Sequence, residues 1–147
     1  MSIVLCANIV REKACRSSWR HYGAADQMGD QISWWVELAV KSGQLDNFEA
    51  LTGEMVETAR RERGVLSYQR FVSEDRKCVL LYERYADSAA ALAHLRQFER
   101  NFAQRFLQMV DRTRFTVLGN PGDELRAVLD RFGAMYLKPF GDFAYWA

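Results

Sequence analysis

"CVLLYERYADSAAALAHLRQFERNF", residues 78–102, reads as a strand that runs straight into a helix. Across the strand, Val79, Leu81, Glu83 and Tyr85 share one face, and Cys78, Leu80 and Tyr82 lie on the other. Asp87 or Ser88 can cap the helix that follows, predicted to run to about Val110. Its buried stripe is Ala91, Leu95, Phe98, Phe102 and Met109. His94 is one of only two histidines in the chain. At roughly 100° per residue it lies about 60° from the centre of that stripe, on the border of the buried face.

The neighbouring segments complete a pattern. "ISWWVELAVK" (32–41) alternates, with Ile32, Trp34, Val36, Leu38 and Val40 on one face and Trp35 on the other. "DNFEALTGEMVETARRERG" (46–64) is a helix with Phe48, Leu51, Met55 and Ala59 inward. Asp46 and Glu49 have the spacing of a capping box, and Gly64 suits the position after the helix. "VLSYQRFV" (65–72) is a second strand, joined to the third by the polar "SEDRK". "RFTVL" (114–118) is a fourth, "GNPG" a turn, and Asp123 the cap of a short helix with Leu125, Val128, Leu129 and Phe132 inward. Pro139 and Gly141 leave room for at most a short edge strand in the tail.

From residue 32 the order is β-α-β-β-α-β, the α+β ferredoxin-like plan, with an antiparallel sheet and both helices on one face. The opposite sheet face also carries apolar side chains. It therefore needs a second cover, for which a second copy across a two-fold axis is the simplest supply. Residues 1–30 show no sustained period. They are expected to be an extension outside a core domain at 31–147, with residues 1–27 upstream of a start at Met28; the alternative is an extra strand at 3–10 on the sheet edge.

With 147 residues, 49% of them hydrophobic and 27% charged, one domain with a real core is expected. A net charge of +1 offers no broad attraction to nucleic acid or to an anionic membrane. No apolar run is long enough for a membrane helix. Cys6, Cys15 and Cys78 make neither a disulfide framework nor a CxxC pair, and with His21 they match no common zinc spacing. A reducing, cytoplasmic setting follows as the expectation. The chain has no GxSxG, HExxH, P-loop or GxGxxG motif. An RNA-recognition module shares the β-α-β-β-α-β order, but the third strand lacks its interleaved aromatics.

Three stretches resemble the antibiotic biosynthesis monooxygenase family, of the quinol monooxygenase type: "VELAVKSGQLDNFEAL", "ERGVLSYQRF" and "LLYERYADSAAALAHLRQF". The last is the most specific, since Glu83, Tyr85, Ala90 or Ala91, and His94 fall where the family places glutamate, an aromatic, alanine and histidine. The resemblance covers roughly 32–118, and the tail also looks like the ending of longer members. It implies a dimeric α/β-barrel and a cofactor-independent monooxygenase, or a relative of one, that oxidises a small aromatic quinol or polyphenol with O2. Haem-degrading relatives carry asparagine in the first strand and tryptophan before the second helix. This chain has no asparagine between Ile32 and Lys41, and Tyr85 stands at the tryptophan position. A silent ligand binder of the same fold stays open.

On that reading His94 is the base or hydrogen-bond partner, because imidazole exchanges a proton near neutral pH. Asn101 and Arg105, further along the same helix border, would stabilise developing negative charge. Trp34, Tyr68, Glu83, Tyr85 and Phe98 would bind the substrate. Without the resemblance, the stronger reading of His94 is a satisfied core histidine; with it, the two readings stand level. For Glu83 the stronger reading is a structural ion pair with an arginine, the other being orientation of His94. No cofactor and no metal is expected.

Overall fold

The computed structural model describes residues 30–138 and Phe140. The extension expected at 1–30, its alternative strand at 3–10, and the Cys6, Cys15 and His21 set therefore lie outside the described residues, Asp30 excepted. Among these, β1 (Ile32–Val40), α1 (Leu45–Ala59), β2 (Val65–Val72), β3 (Cys78–Tyr85), α2 (Ser88–Asn101), α3 (Ala103–Met109), β4 (Val110–Leu118), α4 (Asp123–Arg131) and β5 (Met135–Leu137) follow in order. The sheet runs β2-β3-β1-β4-β5. The β2–β3, β1–β3 and β1–β4 pairs are antiparallel, as the ferredoxin-like plan requires, and β5 joins β4 in parallel. The sheet is thus mixed only at the edge that the tail supplies.

Register decides which side chains meet. One row crosses all five strands on the helix side: Tyr68, Glu83, Trp34, Val117 and Tyr136 are consecutive cross-strand partners. Directly behind it lie Gln69, Tyr82, Trp35, Thr116 and Met135 on the opposite face. The alternation at Trp34 and Trp35 is therefore real: Trp34 is 1% exposed under the helices, while Trp35 is half-buried on the far face. Phe48, Leu51, Met55 and Ala59 of α1 and Ala91 and Leu95 of α2 pack onto the same inner face. No helix of the described residues is long and apolar enough to cross a membrane.

Several local expectations need correction. Asp46 does not cap α1. Gln44 holds that position without a side-chain bond, so the Asp46–Glu49 box does not form; both carboxylates instead meet Arg76, at 3.1 and 3.8 Å. Asp123 is likewise the first residue of α4, after Gly122. Asp87 does cap α2, accepting from the Ala90 N–H at 2.8 Å. The helix predicted to reach Val110 breaks at Phe102, whose ring is needed in the core and whose φ is −127°. β4 begins at Val110 rather than at 114.

Gly64 marks a close approach of two helices' ends. Its φ is +85°, and a Cβ there would lie 2.5 Å from the Ala90 Cβ. Its carbonyl accepts from the Ala86 N–H at 2.8 Å, so the turn after α1 is pressed against the start of α2. Gly53, within α1, has open space around it. Gly64→Ala should lower the unfolding free energy by about 2–4 kcal/mol, from left-handed strain plus overlap. Gly53→Ala should raise it by about 0.5–1 kcal/mol through helix propensity. Urea unfolding of both variants checks the two signs.

Candidate functional site

The inner row brings Tyr68, Glu83 and Trp34 side by side because they are register partners on β2, β3 and β1. Glu83 is 5% exposed, so its carboxylate needs compensation. Its Oε2 accepts from Trp34 Nε1 and from the Tyr85 hydroxyl, both at 2.7 Å. Its Oε1 lies 3.4 Å from the Arg70 guanidinium. That guanidinium stacks 3.7 Å above the Tyr68 ring. Arg70 comes two residues after Tyr68 on the same strand face, so one alternation supplies both.

His94 stands over this group from α2. It is 5% exposed, deeper than its place on the stripe border implied. Its Nδ1 lies 2.8 Å from Glu62 Oε2, and its Nε2 is 3.7 Å from Glu83 Oε2. The ring packs between Tyr68 and Tyr85, with centroids 5.2 and 5.3 Å away. Glu62 belongs to the turn that Gly64 presses onto α2, and His94 is one helical turn beyond Ala90. The close approach at Gly64 thus delivers the Glu62 carboxylate to His94. With Nδ1–H donated to Glu62, Nε2 carries the lone pair and sits beyond hydrogen-bond reach of Glu83. Burial, and then the Glu83 charge, hold the Tyr68 and Tyr85 phenols above the ordinary tyrosine range, so both are neutral donors.

These groups line the inner end of a cavity of about 420 Å³. Trp34, Tyr68, Glu83 and His94 face its buried end; Val36, Met55, Leu81, Phe98, Phe106 and Phe115 form apolar walls. Exposed residues, Glu99, Leu107, Asp111 and Arg112, stand at its rim with Phe132, which follows α4. The cavity brings together most of the residues expected from sequence: His94, Trp34, Tyr68, Glu83 and Phe98. Tyr85 is 0% exposed and lies behind the cavity, between Trp34 and His94, where it holds Glu83. Asn101 and Arg105 lie apart from it. Asn101 is exposed, and Arg105 forms a two-pronged pair with Glu54 of α1 at 3.0 and 2.9 Å on the surface. The helix break at Phe102 explains Arg105, which no longer follows the α2 border; Asn101 is the last residue of α2 and faces solvent.

Glu83 lies 3.4 Å from Arg70 and 3.7 Å from His94, whose hydrogen-bonded carboxylate is Glu62 instead. Glu62 and Arg70 were missed. Glu62 lay hidden in the charge run "RRERG", whose neighbours are solvent-facing; only the glycine two residues on signalled a close approach. Among the described residues no cluster of three or more metal-ligand side chains occurs.

Comparison with known proteins agrees with this geometry. A structure of MupZ from Pseudomonas fluorescens superposes with a TM-score of 0.72 at 19% identity, covering 79% of this chain and 95% of that one. SnoaB, a cofactor-independent oxygenase from Streptomyces nogalater, matches with a TM-score of 0.55 at 14% identity over 63% of this chain and 95% of its own. Protein SO0527 from Shewanella oneidensis matches with a TM-score of 0.52 at 26% identity, covering 60% of this chain and 87% of its own. No curated protein matches. The family model of the antibiotic biosynthesis monooxygenases matches residues 35–100, the span that contains Glu62, Tyr68, Glu83 and His94. Over that span this chain is similar to the antibiotic biosynthesis monooxygenase family, and with the solved structures it shares the fold.

Proposed function

We propose that this protein oxidises a small aromatic quinol or polyphenol with O2, using no cofactor, and that it works as a homodimer. The observation that carries the reading is the cavity: aromatic and aliphatic walls, with a histidine–carboxylate pair and a neutral phenol at the closed end. A flat ring fills such a space while its hydroxyl meets His94 Nε2 and Tyr68.

The residues then act in sequence. His94 takes the hydroxyl proton at Nε2, and the imidazolium formed lies between the Glu62 and Glu83 carboxylates, which stabilise it. Tyr68, a neutral donor, holds the oxygen on which negative charge grows. The anionic ring passes an electron to O2, and the radical pair recombines at a ring carbon as a hydroperoxide. Loss of water then leaves a carbonyl. One oxygen atom ends in the product and one in water, with the substrate as the source of all the electrons. The apolar walls keep bulk water from the intermediate.

The dimer rests on the outer sheet face. Trp35, Leu80 and Tyr82 are half-buried there, while Phe71 and Met135 are 52% and 49% exposed. An apolar face of this kind suits a symmetric contact with a second copy. Light scattering at micromolar concentration should return twice the chain mass, and a monomer mass refutes the dimer.

Metal-free protein should take up O2 with hydroquinones and naphthoquinols, in the presence of chelator and in proportion to enzyme, above the autoxidation of a protein-free control. His94→Ala should lower kcat/KM by about 100-fold or more with a much smaller effect on the melting temperature. Activity that appears only with added haem, flavin or metal refutes the mechanism. Binding without turnover across the panel leaves a ligand binder.

The phenols give a pH test. Their raised values mean that the folded chain holds these protons more tightly than the unfolded one. The stability this provides is complete below about pH 10 and is lost as the pH rises further. Urea midpoints should therefore drop between pH 8 and pH 11, and less steeply in Tyr85→Phe. That variant should also cost about 1–3 kcal/mol at pH 8, because Glu83 loses a donor. Parallel curves for the two proteins contradict the assignment.

A further inference from the structure

The rim of the cavity carries a guanidinium placed there by an irregularity of β4. Alternation from Phe115 and Val117, both inward, would also turn residue 113 inward and residue 112 outward. The pairing shifts instead: Glu37 partners Arg114, but the next residue, Leu38, partners Arg112. Thr113 is thus the extra residue of a bulge, and its hydroxyl donates to the Glu37 carbonyl at 3.0 Å. A bulge of this kind re-aims a side chain beside a site. Here it sets Arg112 on the inner face with Phe115, among the residues that line the cavity.

The chain beyond β4 then holds the side chain. Arg112 Nη2 donates to the Phe132 carbonyl at 2.9 Å, and the guanidinium lies 5.1 and 5.9 Å from the Phe132 and Phe115 ring centres. Burial against these groups lowers its pKa from the ordinary arginine value. Among the described residues Arg112 has no carboxylate within ion-pair distance, although Arg70, Arg76, Arg96, Arg105 and Arg114 each have one. The two rim carboxylates do not serve it: Asp111 faces Lys41 at 3.5 Å, and Glu99 is exposed on α2. One N–H group of Arg112 is used by a main-chain carbonyl that fixes the fork; among the described residues its guanidinium makes no other hydrogen bond, and the side chain is exposed at the rim. A fixed, planar, partly desolvated fork beside aromatic rings matches a carboxylate.

We propose that Arg112 binds a carboxylate carried by the aromatic substrate, so that the natural ligand is an aromatic acid whose ring reaches His94 and whose anionic arm stays at the rim. This rests on the aromatic-ligand part of the proposed function but not on its oxygen chemistry. It also assigns a purpose to the segment after β4: α4 brings Phe132, and with it the carbonyl that steadies Arg112.

The test is a binding comparison that needs no turnover. Isothermal titration calorimetry is run with 2-naphthylacetate, 3-(2-naphthyl)propionate and 4-(2-naphthyl)butyrate, each against its own primary amide. At least one acid should bind the wild-type protein about tenfold or more tightly than its amide. In Arg112→Gln the acid and the amide should bind alike, and Arg112→Lys should keep part of the preference. Arg96→Gln removes the same charge at a surface pair with Glu124, so it should leave the preference intact. Circular dichroism and melting temperature confirm that each variant is folded. Equal binding of acid and amide by the wild type overturns the proposal, as does a preference that survives in Arg112→Gln, or no binding by any pair. If quinols are oxidised but acids gain nothing over amides, the oxygenase reading stands and the carboxylate is wrong.

Discussion

A carboxylate on the inner face of a sheet must be surrounded by donors, and the architecture of this protein follows from how Glu83 obtains them. An unpaired carboxylate at that depth would cost several kcal/mol. The Tyr85 hydroxyl follows from β3 itself, two residues on, whereas Trp34 Nε1 and the Arg70 guanidinium come from the strands on either side and are in place only in the observed register. A slip of one residue in β1 would exchange Trp34 for Trp35 and leave the Glu83 carboxylate without its indole donor. The same carboxylate therefore helps to specify sheet register and to furnish the closed end of the cavity. A site built this way is rigid, because its polar groups cannot move without stranding one another.

The second constraint is the contact between Gly64 and Ala90. It brings the end of α1 and the start of α2 close enough for Glu62 to reach His94, and this pairing fixes which imidazole nitrogen faces the cavity. The Glu62 Oε1, like Arg70 Nε and Nη2, has no hydrogen-bond partner among the described residues. Two of these three atoms belong to a cation beside Glu83, the third to an anion beside His94. Capacity for hydrogen bonds thus remains around the histidine, which suits the proton-accepting role proposed for it.

The fold was legible in the sequence because its signals are short-ranged. Alternation separated Trp34 from Trp35, the 3.6-residue period found the α1 stripe, and Asp87 marked the start of α2. The helix caps were less legible. Asp46 and Asp123 have capping chemistry, but tertiary position decided otherwise: Arg76 draws Asp46 outward. His94, Trp34, Tyr68, Glu83 and Phe98 could be found because each lies on a regular element with a readable face. Arg105 lies apart from the cavity because the helix breaks at Phe102, where a core aromatic outweighs continuity, and Asn101 because it ends α2 on the solvent side. Glu62 and Arg112 depend on a turn and a bulge, and both are set by backbone contacts between residues far apart in sequence. No local pattern encodes them.

The C-terminal segment shows how a common core acquires an individual cavity. The segment is tied down along its length. Gly122 N–H donates to Ser88 Oγ at 2.9 Å, Glu124 pairs with Arg96 at 2.7 Å, and the Tyr136 hydroxyl donates to Asp130 at 2.6 Å. Leu125 and Leu129 are essentially fully buried beneath it. With α4 so anchored, Phe132 stacks on Phe115 with ring centres 6.2 Å apart and walls one side of the rim. The inner end of the cavity belongs to the family span, residues 35–100, together with Trp34; much of the outer end comes from residues 103–132. On the proposed function, chemistry and selectivity are thus carried by different stretches of the chain, and they meet where Phe115 of β4 packs against Trp34, the indole that bonds Glu83.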